Sequence, residues 1–421
     1  MRIFKFGGAS VKDANGVKNL TTVLLKTGEK EVLIVVSAMG KMTNAFENIV
    51  HTYLNKDNTI EQKISFVKDY HKNIITELFH QQSHPIYKEI DNIWMQLSYF
   101  LIQNKKTNLH FVYDQIVSLA EIISTKIISA YLEQVNIKNK WIDARKFIKT
   151  NTSYREAKVN WTLTKENIKQ LKQQTGIFIT QGFIASDASG NSTTLGREGS
   201  DYSAAIFAYC LDAESLTVFK DVAGVLNADP RVFNDTILLE KISYREVIEM
   251  AFYGASVIHP KTLQPLQQKE IPLFVKSFKN PLEKGTIIGK SIDLQPKTPC
   301  FIVKNNQLLI SIATRDFSFM MEDNISEIFD LLHQNKLRVN LIQNTAISFS
   351  VCLEDKFNNF NHFLTQLKLK YKGLYNKEVT LLTIRHFNQK TIDKIKKENE
   401  ILLQQTTRET VQFVVKTIKN H

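Results

Sequence analysis

Short apolar runs alternate with stretches of helical spacing over the first two thirds of this chain. Arg2–Phe6, Glu31–Ser37, Lys140–Asp143, Gly176–Ile184, Ser215–Phe219 and Pro272–Lys276 read as strands. Alternation of such runs with helices calls for an α/β unit, a mainly parallel sheet sandwiched by helices on both faces. Between Thr43 and Leu132 the strand signal fades and helical spacing takes over, as at Ile116, Leu119, Ile123 and Ile127, so a helical insertion is expected over about 43–135. Around Ser291–Thr298 the polar and proline content rises and the pattern changes. Strands at Gln307–Ala313, Val339–Ile342 and Ala346–Cys352, helical spacing at Ile325, Ile328, Phe329 and Leu332, and a helix over Lys356–Leu369 are followed by Val379–Ile384, a Lys-rich helix and Val411–Val415. The expected organisation is therefore an α/β unit over 1–290 and an α+β unit over 300–421.

Three loops that follow predicted strands carry phosphate chemistry. Residues 196–203 read GREGSDYS and open the apolar-periodic helix Ser200–Leu211; small residues let the backbone approach an anion, and Arg197 and Asp201 add one charge of each sign. Gly-rich turns before helices also occur without a ligand, so this octapeptide alone leaves a plain turn open. The chain begins MRIFKFGGAS, with Lys5 beside Gly7 and Gly8, and Ser10 at an N-cap position before the helical spacing of Ala14, Val17 and Leu20. In FKDVAGVLNADPRV, Asp221 follows a strand and a loop marked by Gly, Asn and Pro carries Asp229 and Arg231.

Composition narrows the classes. With 421 residues, 43% of them hydrophobic, the chain can form two or three domains with their own cores. The net charge of +12 would suit nucleic acid, but the 54 basic residues are scattered through Lys-, Asn- and Ile-rich segments, so no nucleic-acid partner is expected. Unbroken apolar stretches such as Val32–Val36 are too short to span a bilayer, and the first strand begins almost at Met1; no membrane segment and a cytoplasmic location are expected. Cys210, Cys300 and Cys352 stand apart among apolar residues and read as buried thiols.

The loops, in this order and at these distances, resemble the aspartokinases of the amino acid kinase family. KFGGAS is similar to the family's KFGGTS, GREGSD to GRGGSD, KDVAGVLNADPRV to TDVDGIYTADPRV and FYGASVIHPKTLQP to FGAKVIHPRTL, with VSAMGKMTN after the second strand. The resemblance runs over the whole chain and implies the fold of that family, with tandem ACT modules at the C-terminus, and phosphorylation of L-aspartate by ATP. It implies Lys5 and Asp201 as catalytic residues, Asp201 orienting Lys5. It places Ser37, Thr43, Glu121, Phe183, Arg197 and Ser200 on the aspartate side, with Arg197 holding the α-carboxylate and Glu121 facing the amino group. Lys5, Phe6, Gly7, Gly8, Lys220, Asp221 and Arg231 fall on the nucleotide side. Magnesium is expected to arrive with the nucleotide, without a protein metal cluster. A homodimer through the ACT modules is expected, and the homoserine dehydrogenase half of bifunctional relatives is expected to be absent.

Each of these residues also has a plain reading. Ser37 can end a strand, Phe183 can be core, Arg231 can be a surface charge, and the pattern alone favours a partly exposed Glu121. The sequence departs from the family at Ala9, Glu198, Leu226 and Ser256. In VNLIQNTAIS, over 339–348, Asn340 and Ala346 stand where lysine-inhibited relatives carry acids, which is expected to weaken capture of a diamino acid. Two alternatives stay open: another amino acid kinase acting on acetylglutamate, glutamate or carbamate, and a non-catalytic amino-acid sensor of the same fold.

Overall fold

The computed structural model describes residues 1–255, 258–316 and 318–417. Met1–Val225, Leu238–Ile248 and Ile258–Leu294 form one compact unit; Leu226–Ile237, Glu249–Val257 and Gln295–His421 form a second. Two segments that precede residue 290 thus cluster with the C-terminal unit.

In the first unit an eight-stranded sheet runs in the order Lys140–Trp141, Ile177–Gln181, Val32–Val36, Arg2–Phe6, Leu216–Lys220, Leu273–Ser277, Thr286–Gly289, Lys241–Ser243. The first six are parallel neighbours, while Thr286–Gly289 runs antiparallel to Leu273–Ser277. Val32–Val36 is buried at every position, the mark of a strand covered on both faces. All six expected strands are present: Arg2–Phe6 has the expected bounds, Leu216–Lys220 and Leu273–Ser277 are shifted by one residue, and the other three are shorter. Gly176–Ile184 resolves into Ile177–Gln181 and the arm Ile184–Ser186 of a small hairpin with Ser192–Thr194. The first helix, Ala14–Thr27, is capped by Asp13, whose side chain accepts the Gly16 N–H at 2.8 Å; Ser10 lies earlier, in a tight turn over Gly8–Val11.

Helices Met42–Leu54, Ile60–Leu78, Pro85–Gln103 and Leu109–Gln134 make up the insertion. By length and composition Leu109–Gln134 could cross a bilayer, which a search for unbroken apolar runs passes over because Asp114, Glu121 and several Ser and Thr interrupt it. However, 78% of its apolar window is buried inside the protein, as in a core helix. Asp114 is fully buried and accepts the Arg155 N–H at 3.0 and 3.1 Å, the Thr194 N–H at 2.8 Å and the Thr194 hydroxyl at 2.7 Å. Seven residues on, Glu121 lies on the same face, and Ser124 donates to the Ser37 carbonyl at 2.8 Å. This helix therefore ties the loops at one end of the sheet to a fixed wall.

The second unit holds a six-stranded sheet in the order Arg338–Asn344, Ser348–Glu354, Cys300–Thr314, Tyr371–Arg385, Thr410–Thr417, Asn399–Thr406. Helices Glu322–Gln334, Phe360–Leu367 and Gln389–Glu398 belong to it. The two central strands are 15 residues each and pair antiparallel over their length, well beyond the apolar runs that announce them. The polar residues of YKGLYNKEV and of NEILLQQT hide those strands from a hydrophobicity reading. Cys210, Cys300 and Cys352 are buried free thiols.

Candidate active site

Strands Arg2–Phe6, Val32–Val36, Ile177–Gln181 and Leu216–Lys220 end on the same edge of the sheet, and the loops beyond the first three line a cleft of about 950 Å³. In an open parallel sheet this carboxyl edge is where ligands bind. The cleft gathers Lys5, Gly8, Ser37, Thr43, Glu121, Phe183, Arg197, Ser200 and Asp201. Of the other expected residues, Gly7 lies within reach of the Lys5 ammonium, since a Cβ there would sit 3.5 Å from Lys5 Nζ. Phe6 has its side chain in the core, stacked on Phe219 with ring centroids 4.8 Å apart, so only its backbone can face a ligand. Asp221 is exposed, and Arg231 is exposed in the second unit, paired with Asp229 at 2.6 Å. Leu226 is partly buried in that unit, and Ser256 lies outside the described residues.

Close packing of backbone explains the glycines. A Cβ on Gly8 would fall 2.6 Å from the Ala38 carbonyl oxygen, and one on Gly199 would fall 2.6 Å from Cδ2 of Phe183. Larger residues would push the Gly7–Gly8 loop off the turn that leads to Thr43, or displace Phe183. Phe183 itself has φ 71° and donates its N–H to Ser203 Oγ at 2.9 Å. Glu198, the residue before helix Gly199–Leu211, also takes a left-handed φ of 52°. Its carboxylate accepts the His259 N–H at 3.0 Å, an anchor that a glycine there would lack. Lys261 Nζ donates to the Leu195 carbonyl at 2.9 Å, holding the same loop from the same segment.

Two carboxyl groups of opposite character face this cleft. Lys5 and Asp201 are both buried, with Lys5 Nζ 2.6 Å from Asp201 Oδ1 in a close ion pair. Burial raises the Asp201 carboxyl, but the charges of Lys5 and Lys220 outweigh it and hold the group below the usual carboxylate range. Asp201 also lies in the first turn of its helix, where the dipole favours an anion. Glu121 is 2% exposed, correcting the pattern-based reading of a partly exposed acid. Burial pushes it up to about 8, against a backbone hydrogen bond from Ala38 and the charge of Lys5. Its Oε2 has no hydrogen-bond partner among the described residues. A buried oxygen of this kind at a cleft wall is prepared for a donor that arrives with a ligand.

Arg197 is exposed and presents a guanidinium to the cleft. Sequence reading passed over Tyr113, Arg155 and Lys158, which also line it. The segment NTSYREAK has no periodicity or glycine pattern that would mark it, and only the register with Asp114 brings it to the cleft.

Comparison with known proteins follows the same lines. Residues 1–277 match the amino acid kinase family. The chain is 29% identical over 358 residues to the lysine-sensitive aspartokinase 3 of Escherichia coli (strain K12), covering 84% of this chain and 78% of that one. It spans about half or less of the bifunctional aspartokinase/homoserine dehydrogenases that it also resembles. Crystal structures of E. coli aspartokinase III superpose on 99% of this chain and 96% of theirs at 25% identity. The complex with lysine and aspartate gives a TM-score of 0.81, and the complex with aspartate and ADP gives 0.76.

The burial of Glu121 has a measurable consequence. In the unfolded chain its carboxyl ionises near 4.5, in the folded protein near 8, so its contribution to stability is full below pH 4.5 and is lost as pH rises through 8. Glu121→Gln cannot ionise, so its unfolding free energy from urea titration should fall less than the wild type's between pH 5 and 8 and exceed it by roughly a few kcal/mol near pH 8. Parallel pH profiles for the two proteins would contradict this.

Proposed function

The chain belongs to the amino acid kinase family, and we propose that it transfers the terminal phosphoryl group of ATP to the side-chain carboxylate of L-aspartate, giving 4-phospho-L-aspartate. The observation that carries the reading is the pairing, in one cleft, of a buried Lys5–Asp201 ion pair with a buried Glu121 oxygen that lacks a donor. An acceptor with one ammonium and two carboxylates matches that set. Its ammonium would partner Glu121, and its α-carboxylate would take the planar fork of Arg197. Its second carboxylate would then be directed to Lys5, with Ser37, Thr43, Phe183 and Ser200 shaping the remaining wall.

The acceptor is already an anionic nucleophile, so the protein needs neither a general base nor a covalent intermediate. Its task is to hold two negative groups in line and neutralise charge on the group in transit. Lys5 and the N–H groups of Gly7 and Gly8 would do this, with Asp201 fixing Lys5. Lys220, Asp221, Arg231 and the backbone of Phe6 are assigned to the nucleotide. A magnesium ion is assigned to the nucleotide's own oxygens rather than to a protein metal cluster. That ion, when bound, neutralises phosphate charge. The cytoplasm, where ATP and L-aspartate are both available, is the assigned location.

The second unit is assigned to regulation and homodimer formation as a tandem ACT region. Its edge strand Arg338–Asn344 is paired on one side only, and Phe319, Met321, Ile342 and Ile347 are exposed. Asn340 is already engaged: it accepts from Lys304 Nζ at 2.8 Å and donates to Gln307 at 2.7 Å. A free diamino acid would have to compete with that internal ammonium, so feedback by lysine is expected to be weak. Sedimentation of the purified protein should show a dimer, and a lysine titration of the initial rate should show little inhibition below about 1 mM. A monomer, or strong sub-millimolar inhibition, would contradict the respective assignment.

The direct test of the reaction is ADP release from the purified protein with MgATP and a panel of amino acids bearing side-chain carboxylates, with hydroxylamine trapping of the acyl phosphate. L-Aspartate should give stoichiometric ADP and hydroxamate. Turnover with another acceptor alone, or none at all, would overturn the reading.

A further inference from the structure

Residues 151–158 form a strap along the cleft, contributing Ser153, Tyr154, Arg155, Glu156 and Lys158 to its lining. Its backbone is unusual: Tyr154 and Arg155 are consecutive non-glycine residues with left-handed φ of 43° and 54°. Each such residue costs roughly 1–2 kcal/mol, and persists only where its surroundings over-determine it. Here they do. The Arg155 N–H donates to both oxygens of buried Asp114, and the Tyr154 hydroxyl donates to Asp187 Oδ2 at 3.1 Å.

The Arg155 side chain makes a third attachment. Its guanidinium carbon lies 4.2 Å from the centre of the Tyr113 ring, and one terminal nitrogen donates to Glu47 Oε1 at 3.0 Å. Glu47 is one helical turn beyond Thr43 in Met42–Leu54. Arg155 and Glu47 are each about one-third exposed, so the pair is neither a free surface contact nor a sealed core bond.

We infer that Arg155 is a positioning residue for the amino-acid acceptor: by bonding Glu47 it locks the strap to the helix that carries Thr43 and sets the width of the acceptor half of the cleft. The inference rests on the reading of the cleft given above. Lys5, Asp201 and the glycine loop lie on other elements, so loss of the lock should act on acceptor binding and leave the nucleotide and the chemical step largely alone. A purely structural arginine would instead lower stability and all kinetic parameters together.

Initial-rate kinetics of the full chain separate these outcomes. Arg155→Gly is the informative variant, because glycine accepts φ 54° without strain and keeps the N–H on Asp114. Glu47→Ala removes the same pair from the other side. Each should raise the KM for L-aspartate roughly three- to tenfold with kcat and the KM for ATP within about twofold, and the double variant should be no worse than either single one. Unchanged aspartate KM, a uniform loss in every parameter, or multiplying effects in the double variant would overturn the inference. A wild-type protein with no aspartate-dependent turnover would instead overturn the functional reading, and the inference with it.

Discussion

Everything at the carboxyl edge of the sheet is arranged around one buried ion pair. Lys5 is the penultimate residue of Arg2–Phe6, one of the two central strands, and Asp201 lies in the first turn of Gly199–Leu211, so their contact joins the strand that leads into the glycine loop to the helix that follows Arg197 and carries Ser200. Burial alone would neutralise the carboxyl, but two lysines keep it charged. A pair of this kind adds little net stability, because desolvation offsets most of its attraction, yet removing one partner leaves a buried charge without compensation. Its value lies in position: an ammonium that is anchored on one side can meet a phosphoryl group on the other without first reorganising.

The rest of the cleft follows from holding that edge open. Gly8 and Gly199 are required by contact distance, since any side chain would separate the loops that meet there. The long helix Leu109–Gln134 supplies three successive anchors on one face: Asp114 for the strap and hairpin, Glu121 for the cleft, and Ser124 for the end of the second strand. Burial raises the carboxyls of both Asp114 and Glu121, but Asp114 is met by Thr194 and the Arg155 N–H whereas Glu121 Oε2 has no hydrogen-bond partner among the described residues. On the proposed reading, a cationic ligand would relieve the raised ionisation and bare oxygen of Glu121, linking acceptor binding to the protonation of this residue.

Much of this was legible in the sequence, for reasons that differ by residue. The strands were announced by continuous apolar runs, and Lys5, Gly7, Gly8, Arg197 and Asp201 by loops of a recognisable composition. Glu121 was not readable from periodicity, because an acid within an apolar helix gives no sign of whether a cleft lies beside it; only the family resemblance pointed to it. The cap of the first helix was misplaced at Ser10, because the tight turn at Gly8–Val11 delays the helix to Asp13. Glu198 looked like a loss of glycine, whereas its carboxylate replaces backbone freedom with a bond to His259. Arg155 was invisible, since its role depends on a register with Asp114 and Glu47, 41 and 108 residues away in the chain.

The central claim is that Asp201 holds Lys5 where the transferred group passes. The most direct measurement is the turnover of Asp201→Asn, which keeps the shape of the side chain and removes its charge. With the ammonium no longer fixed, kcat should fall about 100-fold while the KM values for ATP and L-aspartate stay within a few-fold. A kcat close to that of the wild type would contradict the account.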